Sequence, residues 1–564
     1  MNTHHQTRRR FCSTFAFSAM AGTLSRSFAG FENEYAADVV IVGGGLGGCA
    51  AAIAALRNGL KVVMTEPTDW IGGQLTSQGV PPDEHAQIET AGANQSYREL
   101  RTRIRKHYRD NYPLTDAARQ NPRLNPGNGN VSRLCAEPRV SLVVLEQWLA
   151  PYEESGQLVL LREHVATSAD VDGDRVRAVH VRSTKSGDSR VLRGKYFVDA
   201  TELGDLLPMT QTEFVVGAEA RSETNELHAS DKANPDNQQA FTMCFAVDHL
   251  NGEDHTIDRP AEYAFWRDFV PQLTPPWPGK LLDLTYTHPR SMKPKRLGFD
   301  PNGGKSVGGA LNLWTYRRMI DRSLFEPGHY AGDVSLINWP QNDYVLGNLI
   351  GVSDEEATRH VARAKQLSLS LLYWLQTEAP RPDGGTGFPG LRLRADLMGT
   401  TDGLAKAPYV RESRRIKAQF TVLEEHVGRE NRSMVTGKPI SEIRAAQFAD
   451  SVGVGSYAID LHPSSAGDNY IDFQTFPFQV PLGSLLPVRM QNLLPACKNI
   501  GTTHLTSGCY RLHPVEWGIG EAVGCLASFA LKNNQTPHAI QASELALNDF
   551  QKFIRQQGVE TAWA

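Results

Sequence analysis

Apolar residues fall into three different rhythms along this 564-residue chain, and each rhythm predicts a different kind of element. Val39 to Val42 form an uninterrupted apolar run of the kind that a buried parallel strand requires. Leu46 to about Asn58 is Ala-rich and apolar towards one side, which predicts a helix packed on a sheet; Gly59 ends it, and Lys61 to Met64 read as a second buried strand. Between Pro138 and Tyr152 the period changes to that of an amphipathic helix, with Val140, Val143, Val144, Leu145 and Trp148 on one side. From Gln157 the residues alternate apolar and polar, with Asp172-Gly173 as a turn, which predicts a β-meander returning to the sheet at Tyr196 to Thr201. The expected fold class is therefore α/β: a Rossmann-like unit whose parallel sheet carries a β-meander, with an inserted α+β domain.

The remaining segments give the organisation. Residues 36–205 form the first part of the nucleotide-binding domain, broken by a helical insertion at about 86–130 whose stretch Tyr97 to Tyr112 is rich in Arg and Lys and is expected to face solvent. Residues 206–400 are rich in Trp, Pro and Tyr, and read as a substrate-covering domain in which Trp266, Trp277, Trp314 and Trp339 are mainly core. Residues 401–490 are a mixed interface, 491–535 complete the nucleotide-binding domain, and 536–564 form a helical tail.

Chemistry enters at the first turn. Gly43, Gly45 and Gly48 fill G-x-G-x-x-G between a strand and a helix, so the chain turns tightly, a diphosphate can approach the backbone, and the helix packs close to the sheet. The helix starting at Leu46 aims its free N–H groups and positive dipole end at that anion. Glu66 lies at the end of the next strand, about 20 residues on, where an acid bonds an adenosine ribose hydroxyl and disfavours a 2′-phosphate. Gly72, Gly73 and Gln74 offer a second close backbone approach, with an ordinary loop as the alternative. A second G-x-G-x-x-G does not occur downstream, which argues against a separate nicotinamide domain.

Composition narrows the picture. The net charge of −4 names no partner, 40% apolar content is ordinary for a globular protein, and no basic stripe or ~20-residue apolar run argues for nucleic acid or a membrane span. The first 29 residues have a basic start, a small apolar centre and a Ser27-Phe28-Ala29 site, and Thr7 to Phe11 resembles a twin-arginine signal, so export to the periplasm or beyond by that machinery is expected. Cys49, Cys135, Cys244, Cys497, Cys509 and Cys525 make no C-x-x-C pair, which argues against a flavin disulfide reductase.

Together with these motifs, Val198 to Asp205 and the C-terminal block Asn492 to Gly501 and Gly508 to Gly524 resemble the FAD-dependent oxidoreductases of the glutathione-reductase structural class over nearly the whole mature chain. Glu202-Leu203 departs from the glycine-acid pair that the family's D-A-T-G-D-G-D segment carries there. The resemblance implies FAD as cofactor, contacted by Gly43, Gly45, Leu46, Gly48, Glu66, Gly72, Gly73, Gln74, Asp199, Ala200, Thr201, Gly518, Ile519 and Gly520, and no metal. Gly518 and Gly520 are expected at a helix start beside the flavin, after a loop carrying Arg and His. Gln74 to Ser77 lack a histidine and His85 lies further on, so FAD is expected to be non-covalent. His513 or His504 is the expected base, with Arg511 fixing the substrate; His462 and Arg411 to Arg415 are secondary candidates, and Arg414 could pair with Glu412. The expected function is hydride transfer from a small organic or carbohydrate-like substrate to FAD, and on to an unidentified acceptor, by a dehydrogenase or oxidase. A redox-neutral isomerase or lyase and a non-catalytic exported binding protein are the alternatives.

Overall fold

The computed structural model describes residues 33–563, so the export segment at 1–29 lies outside the described residues. The sheet that carries the glycine turn runs in the order β3-β2-β1-β6-β5-β4. Its parallel part is β1 (Glu34–Val42), β2 (Val62–Glu66), β3 (Leu158–Arg162) and β6 (Ser189–Asp199), which pairs with β1 from Val191 to Asp199. β4 (His164–Asp172) and β5 (Arg175–Ser183) complete an antiparallel meander with the near half of β6. The first strand of the alternating stretch, β3, joins β2 in parallel rather than opening the meander. β6 is long enough to serve both halves, and beyond the meander it pairs in parallel with Leu493–Pro495, which brings the C-terminal block to the middle of the sheet.

α1 (Leu46–Arg57) follows the glycine turn and is buried along almost its whole length, because it lies between the sheet and the C-terminal helix His513–Asn533. α2 (Gln95–Asn111) corrects the solvent-facing expectation. Tyr97, Leu100, Ile104 and Tyr108 recur at helical spacing and are buried, and Arg101 and Arg105 are buried in ion pairs with Glu84 and Glu89. A polar helix here packs inward because its charges are paired.

Residues 241–404 build a second core around a four-stranded antiparallel sheet, in the order Arg318–Ile320, Val334–Ile337, Phe245–His249, Leu391–Leu393, covered by the helix Asp354–Thr377. Trp266, Trp277, Trp314 and Trp339 all lie in this core. No helix of the described residues is long and apolar enough to cross a membrane, and the six cysteines among them are buried thiols.

Candidate functional site

At the end of β1, Gly43 has φ of +102°, and a Cβ there would lie 2.2 Å from the Ala200 carbonyl oxygen. Gly48 supports the same turn, since a Cβ on it would lie 2.1 Å from the Gly43 oxygen. Gly45 caps α1 without a side-chain hydrogen bond, and in the first turn of the helix, which starts at Leu46, the Gly47 N–H is taken by the Glu516 carboxylate at 3.0 Å. Gly72, at φ +108°, donates its N–H to the Gly44 oxygen at 2.7 Å, and a Cβ on Gly73 would sit 2.9 Å from the Gly45 Cα. The two glycine turns thus close on each other.

Glu66 ends β2 with one carboxylate oxygen accepting from the Thr68 N–H at 2.9 Å and hydroxyl at 2.7 Å; burial pushes this carboxyl up to about 7. Asp199 ends β6 and accepts from the Thr201 N–H and hydroxyl and the Leu206 N–H at 2.7–3.1 Å, so it ties together the turn containing Ala200. Glu202, in the position where the family pattern has glycine, ion-pairs with the buried Lys498 through one oxygen and leaves the other buried without a partner beside the glycine turns. Gln74 donates to the Arg511 carbonyl at 3.0 Å and to Glu516, which in turn accepts the Gly47 N–H at 3.0 Å.

The C-terminal block differs from expectation in two ways. The stretch expected as a loop is a helix, His504–Tyr510, capped by the Thr503 side chain, and Arg511 ends it. The following helix starts at His513, so Gly518 and Gly520 lie in its second turn and beyond rather than at its start. Gly520 packs against α1, where a Cβ would lie 2.0 Å from the Gly47 oxygen; Gly518 has room, with Asn94 Nδ2 at 3.8 Å. Ile519 is buried.

The candidate bases separate on geometry. His513 is fully buried, its Nδ1 accepting the Asp83 N–H at 3.3 Å and its Nε2 facing the Val80 carbonyl at 3.2 Å. Burial pushes it down to about 4, so the ring is neutral with both nitrogens engaged. His504 lies 3.2 Å from Glu412; burial opposes its charge, but Glu412 outweighs burial and raises it. Glu412 pairs with Arg415 at 2.6 Å, whereas Arg414 pairs with Asp205 at 3.1 Å, which corrects the expected Arg414–Glu412 pair. His462 Nδ1 lies 2.7 Å from Asp343, and its Nε2 lies 3.6 Å from Asp460. Burial opposes ionisation of Asp343, but Arg411 and then His462 outweigh it and hold its carboxyl down to about 2.

His462 opens on a cavity of about 180 Å³ that it shares with Arg511, Arg411, Arg317, Asp83, Asp460, Tyr409, Tyr470 and Trp339. Arg511, Arg411 and His462 were candidates from sequence, and the fold brings them together. Arg317, Asp83, Asn338 and Asp343 stand in no recognisable motif; Asp83 follows Pro81-Pro82, a turn signal that names no chemistry. His504 lies in an adjoining cavity that His462 also lines. His85, the nearest histidine after the glycine turns, bonds to the Gly92 carbonyl and packs on Trp563.

The glycine cradle at the start of α1 and the acid closing β2 suit a dinucleotide, and Lys498 offsets the charge of Glu202 beside them. Such a turn on a parallel sheet, with a second helix converging on it, defines a nucleotide-cofactor protein of the Rossmann type. The chain matches the FAD dependent oxidoreductase family over residues 38–552, and it belongs to that family, with FAD as its cofactor.

No curated protein matches the chain significantly. Similar solved structures include a variant of E. coli quinol fumarate reductase, with 13% identity, coverage of 93% of this chain and 74% of that one, and a TM-score of 0.34. A geranylgeranyl bacteriochlorophyll reductase-like protein from Thermoplasma acidophilum has 11% identity, coverage of 94% and 85%, and a TM-score of 0.31. For L-proline dehydrogenase from P. horikoshii, at 16% identity and a TM-score of 0.18, the match covers 34% of this chain and 26% of that one.

Proposed function

We propose that this chain oxidises a small hydroxylated, carbohydrate-like molecule, with FAD held non-covalently as the hydride acceptor. The single observation that carries the reading is the His462–Asp343 pair, 2.7 Å apart, opening on a cavity lined by Arg511 and Arg411. FAD would lie against Gly43, Gly45, Leu46 and Gly48, with Glu66 at its adenosine ribose, the Gly72–Gln74 and Asp199–Thr201 turns alongside, and the residues from His513 to Gly520 beyond. When bound, FAD supplies a two-electron acceptor for the hydride that leaves the substrate carbon.

Asp343 holds the His462 Nδ1–H and so directs the basic Nε2 towards the substrate hydroxyl, whose proton it takes as the carbon–oxygen bond becomes a carbonyl. Arg511 donates to a substrate oxygen and stabilises the negative charge that develops there as the proton leaves. His513, saturated by two backbone groups, positions the Val80–Asp83 wall instead of moving a proton. Burial opposes the charge of His504, and its partner Glu412 raises its pKa against that effect.

His462→Gln tests this assignment. The holoenzyme variant should bind substrate but reduce its flavin about 100-fold or more slowly under anaerobic conditions, the usual scale of a lost general base. An unchanged rate would contradict it.

A further inference from the structure

The polar residues lining the cavity are unbalanced in one direction. Five buried N–H donors have no partner: the Nε of Arg317, Arg411 and Arg511, Asn338 Nδ2 and Trp339 Nε1. One acceptor is in the same condition, Asp83 Oδ1, and it already lies 3.2 Å from Arg317. Unmet donors in a buried site are costly, and an acceptor-rich ligand relieves them.

The arginines have spare edges because their outer nitrogens are committed. Arg317 faces Asp83, Arg411 lies 3.1 Å from Asp343, and Arg511 lies 3.5 Å from Asp460. These three acids each face a guanidinium, so they are poor seats for a cationic ligand. With His462 neutral, as a base must be, the three aspartates match the three arginines, so what the cavity lacks is acceptors for its unmet N–H groups. A carboxylate on the ligand supplies them, and it accepts bonds without offering a donor of its own. Tyr286, Tyr316, Tyr457 and Trp339 supply flat walls for a ring. The cavity, at about 180 Å³, is smaller than the roughly 300–1,000 Å³ typical of drug-sized ligands, which suits one substituted ring.

We propose that the substrate is a one-ring hydroxy acid of the sugar-acid type, its carboxylate seated against the arginines of this cavity; this rests on the reading of the cavity as the substrate site. The carboxylate anchors the ring while a ring hydroxyl meets His462.

The test uses holoenzyme and matched pairs: glucuronate against glucose, galacturonate against galactose, and quinate against inositol. Quenching of tryptophan fluorescence, to which Trp339 contributes, reports binding, and anaerobic loss of the flavin's visible band reports oxidation. At least one acid should bind tenfold or more tightly than its neutral partner. Arg317→Gln should abolish that preference, and Arg317→Lys, which retains the charge, should keep part of it. Equal or tighter binding of the neutral partner in every pair, or no binding by any acid, overturns the inference. The two readings fail separately: acids that bind selectively without bleaching the flavin support the carboxylate seat and contradict the hydride-donor reading, whereas neutral sugars that bind and bleach equally do the reverse.

Discussion

A histidine can act as a base only while one ring nitrogen is free to receive a proton, and that condition separates His513, a first candidate from sequence, from His462, a secondary one. His513 has a backbone group at each nitrogen and no contact with solvent. His462 has Nδ1 on Asp343, while its Nε2 lies 3.6 Å from Asp460, beyond hydrogen-bond distance, and 17% of its side chain is exposed. The sequence ranks His513 above His462, and burial with hydrogen bonding at both His513 nitrogens argues for the reverse order.

Burial also makes His513 a pH liability. An unfolded histidine titrates near 6.5, and in the fold this one is pushed down to about 4, so the native state prefers it neutral. Its contribution is fully present above about pH 6.5 and is lost as the pH falls through about 4, a total on the order of 3 kcal/mol. Denaturant unfolding of the wild type and His513→Gln across this range should show the gap between them changing with pH. A constant gap would contradict the neutral assignment.

Among the elements, the crossing of α1 with the helix His513–Asn533 depends on glycines for closeness. Gly520 meets the Gly47 backbone and Gly524 meets the Ala51 oxygen, each at a distance that leaves no space for a Cβ. Gly520→Ala should therefore destabilise the fold by ~1–3 kcal/mol through overpacking. Gly518→Ala, with open space around it, should be neutral or stabilising by up to ~1 kcal/mol from helix propensity. Thermal unfolding of the two variants checks the contrast, and equal effects would refute it. Strand, turn and helix at the N-terminal unit are legible because G-x-G-x-x-G, the apolar run and Glu66 are all local signals. The helix His504–Tyr510 is not, because its Gly508 and flanking Thr residues read as a loop while the cap supplied by Thr503 and complete burial hold it helical. The inward face of α2 was available in the spacing of Tyr97, Leu100, Ile104 and Tyr108, but its arginines mask that stripe until their acidic partners are known.

Across the whole molecule, the cofactor cradle and the cavity beside His462 differ in how the chain encodes them. The cradle's main turn, Gly43 to Glu66, is continuous in sequence. The cavity gathers Asp83, Arg317, Arg411, Asp460, His462 and Arg511 from widely separated segments, so its composition emerges only when the aromatic-rich region at 241–404 folds over the sheet. In the reading proposed above, the chemistry falls to this cavity between the nucleotide-binding sheet and its cover, where residues from both would meet one small molecule.

The visible spectrum of the purified holoprotein, followed anaerobically as a hydroxylated ring compound is added, tests that account most directly. The yellow flavin band should bleach with a compound that fills the cavity, and should return when an electron acceptor is supplied. A band that persists while the compound is converted to product without any acceptor would contradict net oxidation and make the chain a redox-neutral flavoprotein.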